Sequence, residues 1–172
     1  MEAARAATPS DVPAITDLAR TAVGELGLLR GGPLWQRQDA RVEPIEAGVA
    51  SDVALGRDEG LTVVGTIHDV IVGYGVSHLV ALNDGSILAE VSDLYVDPEA
   101  RGIGLGEAMM DLLVAHASDA GAIGIDALAL PGDRATKNFF ETFGLKARAI
   151  VVHRSLMATD PPVAPEGRDG RP

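Results

Sequence analysis

Cysteine is absent from this sequence of 172 residues. Disulfide bonds and thiolate metal ligands are therefore excluded. No apolar run approaches the roughly 20 residues that cross a bilayer, so no membrane span is predicted. The first residues also lack a basic patch followed by an apolar stretch, so no secretory signal is predicted. Together these absences predict a cytoplasmic protein without a membrane partner.

Basic residues are few, since 14 Lys and Arg stand against 25 Asp and Glu and give a net charge of −11. Binding to nucleic acid through phosphate neutralisation is therefore not expected. An acidic surface can raise the local concentration of cationic amines, although solubility alone also accounts for it. No metal is expected either, because the four histidines, His68, His78, His116 and His153, lack the spacing of metal ligands.

The length and the hydrophobic content of 47% predict one globular domain over residues 1–157. Residues 158–172 are rich in proline, glycine and charge and are predicted to be disordered. Apolar periodicity and turn residues predict helices at about 15–26, 44–55, 105–120 and 134–143, strands at 5–7, 61–67, 70–82, 87–96, 123–130 and 147–156, and a loop at 28–41. This order is typical of a mixed α/β sheet with helices on both faces.

The most informative stretch runs from Asp93 to Met110 and reads DLYVDPEARGIGLGEAMM. An apolar strand is followed by the spacing R-x-x-G-x-G and then at once by a helix. Glycines let the backbone approach a ligand closely, and the first turn of a helix has unpaired N–H groups and a positive dipole end. The pattern therefore predicts a pyrophosphate cradle with an arginine donor, and a glycine-rich turn without a ligand is the alternative. The cradle residues are Arg101, Gly102, Ile103, Gly104, Leu105 and Gly106.

Two other phosphate-binding loops are disfavoured by their spacing. Dinucleotide-binding folds need G-x-G-x-x-G at the strand end, whereas here the glycines alternate and five residues separate Val96 from the first of them. A Walker loop needs lysine after its last glycine, and Gly106 is followed by Glu107. Asp126 lies about where a ribose-binding acid would be, so a nucleotide-binding α/β protein stays an alternative.

This stretch resembles the GNAT superfamily of acyl-CoA-dependent N-acyltransferases. The resemblance is carried by ARGIGLGEAMM, by VSDLYVDPE before it and by NFFETFGLKARAIVVHR after it. The resemblance covers about Thr8 to Leu156 and is specific from Ala89 to Arg154. It implies a mixed, mostly antiparallel central sheet with helices on both faces. It also implies acetyl transfer from acetyl-CoA to a primary amine of a small molecule or peptide, and it leaves room for a homodimer. Since no cysteine is present to carry the acyl group, direct attack by the amine in a ternary complex is the simplest route.

The resemblance places a catalytic base at Glu90, with Asp93 as the weaker candidate. An amine attacks a thioester only in its neutral form, so a carboxylate buried in the strand would suit the task. An exposed or ion-paired carboxylate is the alternative. By strict alternation Glu90 shares a face with Ser92 and Leu94, and Asp93 faces the other way unless a β-bulge intervenes. Relatives often have such a bulge, and the resemblance places the backbone of Leu94 and Val96 against the pantetheine amides of CoA.

The resemblance also bears on residues outside this strand. Trp35 and Arg30 lie in a loop that borders the acceptor pocket of relatives, although a plain surface loop explains them equally well. Asn138 is a candidate cofactor contact, with an exposed helix face as the alternative. Asp133 stands where relatives often have a CoA-contacting asparagine, and we expect it to turn away and cap its helix. Phe140 stands where many relatives have a tyrosine that protonates the leaving thiolate.

The missing tyrosine leaves a second interpretation open, namely a non-catalytic acyl-CoA-binding or regulatory module of the same fold. A thiol with a pKa of ~8.5 leaves tolerably well as thiolate, so the enzyme interpretation does not require the phenol. The identity of the amine acceptor and the preferred acyl chain are not encoded in any motif that we recognise.

Overall fold

A five-stranded sheet in the order β1-β2-β3-β4-β5 runs through the computed structural model, which describes residues 2–156. The first four strands pair as antiparallel neighbours, and the fifth is parallel to the fourth. The mostly antiparallel mixed sheet is therefore confirmed. The strands are β1 (Glu2–Ala6), β2 (Gly60–Ile67), β3 (Val70–Ala81), β4 (Ile87–Val96) and β5 (Gly124–Ala127).

Helices cover both faces of this sheet, as predicted. The helices are α1 (Val12–Gly27), α2 (Gly32–Gln38), α3 (Ile45–Val53), α4 (Leu105–Asp119) and α5 (Arg134–Thr142). One core lies between α1, α3 and the sheet, and a second lies between α4, α5 and the opposite face. Successive strand residues point to opposite faces, so the neighbours Val63 and Val64 of β2 enter different cores. Within residues 2–156 we find no helix with the length and apolar content needed to cross a bilayer.

The predicted loop at 28–41 is wrong in its centre, because α2 forms there. Gly31 adopts a left-handed φ of 88° and starts the helix, and Pro33 lies in its first turn. Proline is tolerated there, since a first-turn N–H has no partner within the helix to lose. The Gly-Gly-Pro sequence thus begins a helix instead of interrupting one. The strand predicted at 123–130 is also shorter, ending at Ala127.

The strand predicted at 147–156 is absent, and this part of the chain contributes nothing to the sheet. Its apolar residues are highly exposed instead, with Ile150 at 84%, Val151 at 92%, Val152 at 89% and Leu156 at 91%. The sequence carries a strand-like apolar pattern here, but strand formation also needs a neighbouring strand with which to pair. The tail predicted to be disordered, residues 158–172, lies outside the described residues.

A β-bulge in β4 changes the faces of the candidate residues. Val76 of β3 pairs with Asp93 and the next residue, Ser77, pairs with Val91, so Ser92 is the extra residue. Because of this insertion, Glu90 and Asp93 lie on the same face of the sheet, the one that α1 and α3 cover. The prediction by strict alternation is therefore wrong, and the bulge that the resemblance implied is present. Leu94 faces the second core and no longer shares a face with Glu90.

Candidate functional site

The glycine-rich loop presents open backbone at the start of α4. Gly102 and Gly104 have φ values of 81° and 88°, a left-handed conformation that favours glycine. A Cβ added at either position would have nothing within 4 Å, so the space beside the loop is free. Gly104 is the N-cap of α4 and makes no side-chain capping bond, so the first-turn N–H groups remain available. This open, positively polarised helix end fits a pyrophosphate group.

The loop is anchored at its end and exposed in its middle. Leu105 is 2% exposed and packs so tightly on β2 that a Cβ at Gly65 would lie 2.7 Å from it. A Cβ at Gly106 would lie 3.4 Å from the Phe139 ring, so this glycine lets α4 pack closely against α5. Ile103 is exposed between the two left-handed glycines. Backbone groups, more than side chains, are therefore what this loop offers a ligand.

Arg101 is held by a carboxylate of α1. Its Nη2 lies 2.9 and 3.0 Å from the two oxygens of Glu25, and its Nε donates to the Val96 carbonyl at 2.9 Å. The guanidinium also sits 5.4 Å from the centroid of the Tyr95 ring, whose hydroxyl donates to Glu25 at 2.8 Å. Burial and this bond to Glu25 raise the pKa of Tyr95 to about 12. Arg101 thus joins the cradle to α1, and an incoming phosphate would compete with Glu25 for it.

A cleft opens where β4 and β5 separate. The two strands pair only along Leu88–Val91 and Gly124–Ala127, so the rest of β4 has no strand beside it on the β5 side among the described residues. The cavity there has a volume of about 90 Å³, and α1, α2, β4 and the segment after β5 line it. Leu94 is among the lining residues, whereas Val96 lies further along β4 toward the glycine loop. The bulge and the early end of pairing therefore leave backbone groups of β4 available along the cleft.

Asp93 is engaged in a half-buried ion network. Arg41 Nε and Nη2 each donate to one of its oxygens at 2.8 Å, the Tyr74 hydroxyl donates at 2.9 Å, and Ser92 Oγ donates at 2.9 Å. Arg41 Nη2 also donates to Asp52 of α3 at 2.7 Å. The side chains of Arg41, Asp52 and Asp93 are each 15% exposed. Both carboxylate oxygens of Asp93 already accept hydrogen bonds. Asp93 is therefore placed to hold the bulge, and its lone pairs are engaged within the protein.

This network shifts the pKa values of Arg41 and Tyr74. Burial alone would lower the pKa of Arg41, but its hydrogen bonds to Asp93 and Asp52 and their charges outweigh burial and raise that pKa. Burial and the neighbouring Asp93 carboxylate raise the pKa of the Tyr74 phenol well above its ordinary value. Arg41 therefore stays charged and Tyr74 stays protonated at neutral pH.

Glu90 is exposed, which corrects the expectation of a buried carboxylate. It lies opposite His78 of β3 and beside Asp126 of β5, on the same face as Asp93. The core under α1 and α3 takes only Tyr95 from β4, so neither helix covers this end of the strand. No hydrogen bond engages the Glu90 side chain among residues 2–156, and its carboxylate is thus open to water and to a ligand.

The remaining candidates fall into separate places. Trp35 is half-buried and lines the cleft, whereas Arg30 is exposed and lies outside its lining. Asn138 is exposed on α5. Asp133 caps α5 as expected, accepting from the Thr136 backbone N–H at 2.9 Å, and it also lines the cleft.

Phe140 lies in the second core at 7% exposure and is not part of the cleft. Its neighbour Phe139 packs against the start of α4, where a Cβ on Gly106 would lie 3.4 Å from the Phe139 ring. A phenol at position 140 would enter packed apolar surroundings, so this geometry does not place it beside the cleft.

Two residues important to the site were missed by the sequence reasoning. Arg41 stands only as the last residue of the predicted loop at 28–41, and no sequence pattern distinguishes Glu25. Their partners are 52 and 76 positions away in the chain, so no local pattern connects them. The only available signal was an arginine near the end of a Gly-Pro-containing segment, which is too common to predict a contact.

Comparison with known proteins gives a consistent result. Residues 28–145 match the model of a family described as the acetyltransferase (GNAT) family. No curated protein matches the sequence. Among solved structures, a possible acetyltransferase from Clostridium difficile 630 is 14% identical, with a TM-score of 0.68 over 91% of this chain and 98% of that one.

Two further structures resemble this chain at a similar level. Glucosamine-6-phosphate N-acetyltransferase from Arabidopsis thaliana is 15% identical, with a TM-score of 0.64 over 91% of this chain and 99% of that one. The protein AAC(6')-Iy, solved with a CoA-containing bisubstrate analogue, is 11% identical, with a TM-score of 0.68 over 90% of this chain and 97% of that one. At these identities the structures establish a shared fold.

The ion network gives a testable stability effect. Arg41→Met keeps an apolar stem but leaves Asp93 and Asp52 half-buried without their cation, so we expect the free energy of unfolding to fall by about 3–5 kcal/mol. Arg37→Met, at an exposed position of α2, is the matched control and should change it by less than about 0.5 kcal/mol. Urea denaturation followed by circular dichroism measures both. Equal effects of the two substitutions would contradict a structural role for the network.

Proposed function

The chain belongs to the GNAT acetyltransferase family, and from that premise we propose that it transfers acetyl from acetyl-CoA to a primary amine by direct attack in a ternary complex. The family uses acetyl-CoA as the acyl donor. The observation that carries the proposal is the open glycine loop at the start of α4, which is directly continuous with the unpaired part of β4. The glycine loop offers an anion site, and the unpaired part of β4 before it offers free backbone amides. Together they match the two halves of the donor, its pyrophosphate and its pantetheine.

In this proposal the backbone binds the donor. The N–H groups from Gly102 to Gly106 bind the pyrophosphate, and backbone groups of Leu94 and Val96 bind the pantetheine amides. Asn138, exposed on α5, contributes a further polar contact. The bound donor supplies a thioester, whose acyl carbon is attacked by an amine. The protein's own contribution is to orient that carbon at the cleft and to limit the access of water.

The acceptor enters from the side of α1 and α2. Trp35 of α2 lines the cleft, and Asp39, immediately after α2, lines it together with Asp93. Carboxylates near a cleft attract a cationic ammonium group, which supports an amine acceptor. Arg30 borders this entrance from the preceding loop. The fold shared with glucosamine-6-phosphate N-acetyltransferase supports a small-molecule acceptor.

Proton removal is assigned to Glu90. The ammonium form of the acceptor must lose a proton before nitrogen attacks, and Glu90 is an exposed carboxylate on the same face of β4 as Asp93, which lines the cleft. Because Glu90 lies outside the residues that line the cavity, it accepts that proton through a water molecule. As the C–S bond breaks, the thiolate leaves and takes up a proton from solvent. Asp93, bonded to Arg41 and Tyr74, holds the bulge and thereby the position of Glu90 and Leu94.

Two measurements test the proposal as a whole. Isothermal titration with acetyl-CoA, CoA and NAD should show binding of the first two only. Thiol release should then require an amine, and a panel of polyamines, amino acids, aminoglycosides and peptides would identify the acceptor class. The chain has no cysteine, so a thiol reagent reports free CoA without background from the protein. Acetyl-CoA binding without turnover across this panel would favour a non-catalytic module.

The cradle is tested by Gly104→Val. The branched side chain occupies the space beside the loop, so we expect acetyl-CoA affinity to fall at least 100-fold in calorimetry. Gly85→Val is the matched control, because Gly85 has a similar φ of 84°, equally open surroundings and a place in the β3–β4 turn. Both substitutions add the same backbone strain, so their unfolding free energies should change alike. Normal binding by the Gly104 variant would show that the donor lies elsewhere.

The base is tested by Glu90→Gln, which keeps the shape and removes the proton acceptor. We expect kcat to fall roughly 10²–10⁴-fold with little change in the Kd for acetyl-CoA. The limb of the pH–rate profile that reports deprotonation of the base should disappear. Glu46→Gln is the control, because Glu46 is also an exposed carboxylate but lies on α3. This variant should keep the wild-type profile. An unchanged pH–rate profile in the Glu90 variant would exclude this role.

Competition between Glu25 and the pyrophosphate for Arg101 predicts a substitution that strengthens acetyl-CoA binding. Glu25 and Arg101 form an ion pair of partly exposed side chains, an interaction that typically contributes about 0.2–1 kcal/mol. If Arg101 turns to the pyrophosphate, Glu25→Gln removes that competition, and the Kd for acetyl-CoA should decrease up to roughly fivefold. Arg101→Ala should weaken binding by about 1–3 kcal/mol, and adding Glu25→Gln to it should give no gain. Weaker binding by the Glu25 variant would show that Arg101 acts only by holding α1.

A further inference from the structure

The lining of the cleft carries more negative than positive charge. Within residues 2–156, its charged side chains are the carboxylates of Asp39, Asp93 and Asp133 and the guanidinium of Arg41. Two of these carboxylates are already engaged within the protein. Both oxygens of Asp93 accept from Arg41, and both oxygens of Asp133 accept from Thr136 in the cap of α5. The carboxylate of Asp39 has no hydrogen bond or ion pair among the described residues, so it is the one in the lining that is open to a ligand.

The end of α2 places this carboxylate beside an aromatic ring. The backbone N–H of Asp39 donates to the Trp35 carbonyl at 2.8 Å, and that of Ala40 donates to the same oxygen at 3.0 Å. These two bonds fix the backbone at the point where the helix ends. The half-buried Trp35 side chain and the Asp39 side chain both line the cleft. An indole ring attracts a cation to its face, and a carboxylate pairs with one, so together they suit an ammonium group.

The neighbouring walls of the cleft are apolar. Helix α1 and the segment after β5 contribute Ala22, Val23, Leu26, Leu128, Ala129 and Leu130. Methylene groups are favoured against such walls, whereas a ring with several hydroxyl groups would find few polar partners there. The lining therefore fits an aliphatic chain that carries a cation at one end.

The cation that Asp39 suits is not the reacting amine. The attacking nitrogen must be neutral, and a carboxylate paired with an ammonium group stabilises its protonated form and opposes loss of the proton. Asp39 is suited instead to a group that stays charged throughout the reaction. Arg41 does not compete for this role, because its guanidinium is paired with Asp93 and Asp52. An acceptor that uses both ends of the cleft thus needs a second amino group.

Building on the proposed function, we propose that Asp39 and Trp35 select an acceptor with two amino groups joined by an aliphatic chain, namely a linear diamine or polyamine. One end stays protonated and binds the Asp39 carboxylate beside the Trp35 ring. The nitrogen at the other end loses its proton through water to Glu90 and forms the new C–N bond as the C–S bond of the thioester breaks. The net charge of −11 also favours the approach of such a dication.

A matched pair of acceptors tests this selection. 1,5-Diaminopentane and 5-amino-1-pentanol have the same length, but the second replaces one ammonium group by a hydroxyl. We expect kcat/KM to be about 10–100-fold higher for the diamine, as for one charge-assisted bond, of which a factor of two comes from its two equivalent ends. Asp39→Asn should reduce this preference to about twofold and leave the Kd for acetyl-CoA unchanged. Asp111→Asn removes the same charge from an exposed position on α4, across the sheet from α1, and should keep the wild-type preference.

The length of the acceptor gives a second readout. Asp39→Glu keeps the charge and adds one methylene group, so in a series of diamines with three to six carbons the preferred chain should become about one carbon shorter. Equal kcat/KM for the two matched acceptors in the wild type, a preference that survives Asp39→Asn, or an equal loss for both acceptors in that variant would overturn the inference and leave the proposed function standing. Absence of turnover with every amine would instead overturn the proposed function, and the inference with it.

Discussion

The ion pair between Arg41 and Asp93 holds the bulge in β4, and the site depends on that bulge. The extra residue Ser92 changes the face on which Asp93 lies and directly follows Val91, the last residue of β4 that pairs with β5. Asp93 then faces α1 and α3, where a lone half-buried carboxylate would be costly without a cation. Arg41 supplies that cation and reaches Asp52 on α3 at the same time. One guanidinium thus fixes a strand irregularity, a helix and the mouth of the cleft together.

A second carboxylate, Glu25, connects the glycine loop to the helix that borders the cleft. It bonds to Arg101 at the glycine loop and accepts from Tyr95 of β4, while neighbouring residues of α1 line the cleft. Under the proposed function, an anion that binds the loop would compete with Glu25 for Arg101, and the partly exposed pair is weak enough to exchange partners.

Features that depend on neighbours in sequence were predictable. The glycine loop follows from backbone freedom at Gly102 and Gly104 and from the helix that starts next, and the cap at Asp133 follows from its position before α5. Features that depend on pairing were not. Alternation along β4 assigned Glu90 and Asp93 to opposite faces because it treats a strand alone, whereas a bulge is defined only against β3. The segment 147–156 shows the same limit, since a strand-like sequence forms a strand only where it pairs with another strand.

The sequence by itself determined what composition and local backbone can offer: an acidic chain without thiols, a mixed sheet and a helix that starts at Leu105 behind a glycine-rich loop. Only the tertiary structure decided which charges meet. Arg41 finds Asp93 across 52 positions and Arg101 finds Glu25 across 76, and both carboxylates are thereby committed before any ligand arrives. The physical reason is that backbone geometry is set within a few residues, whereas the partner of a long charged side chain is set by how helices pack on the sheet.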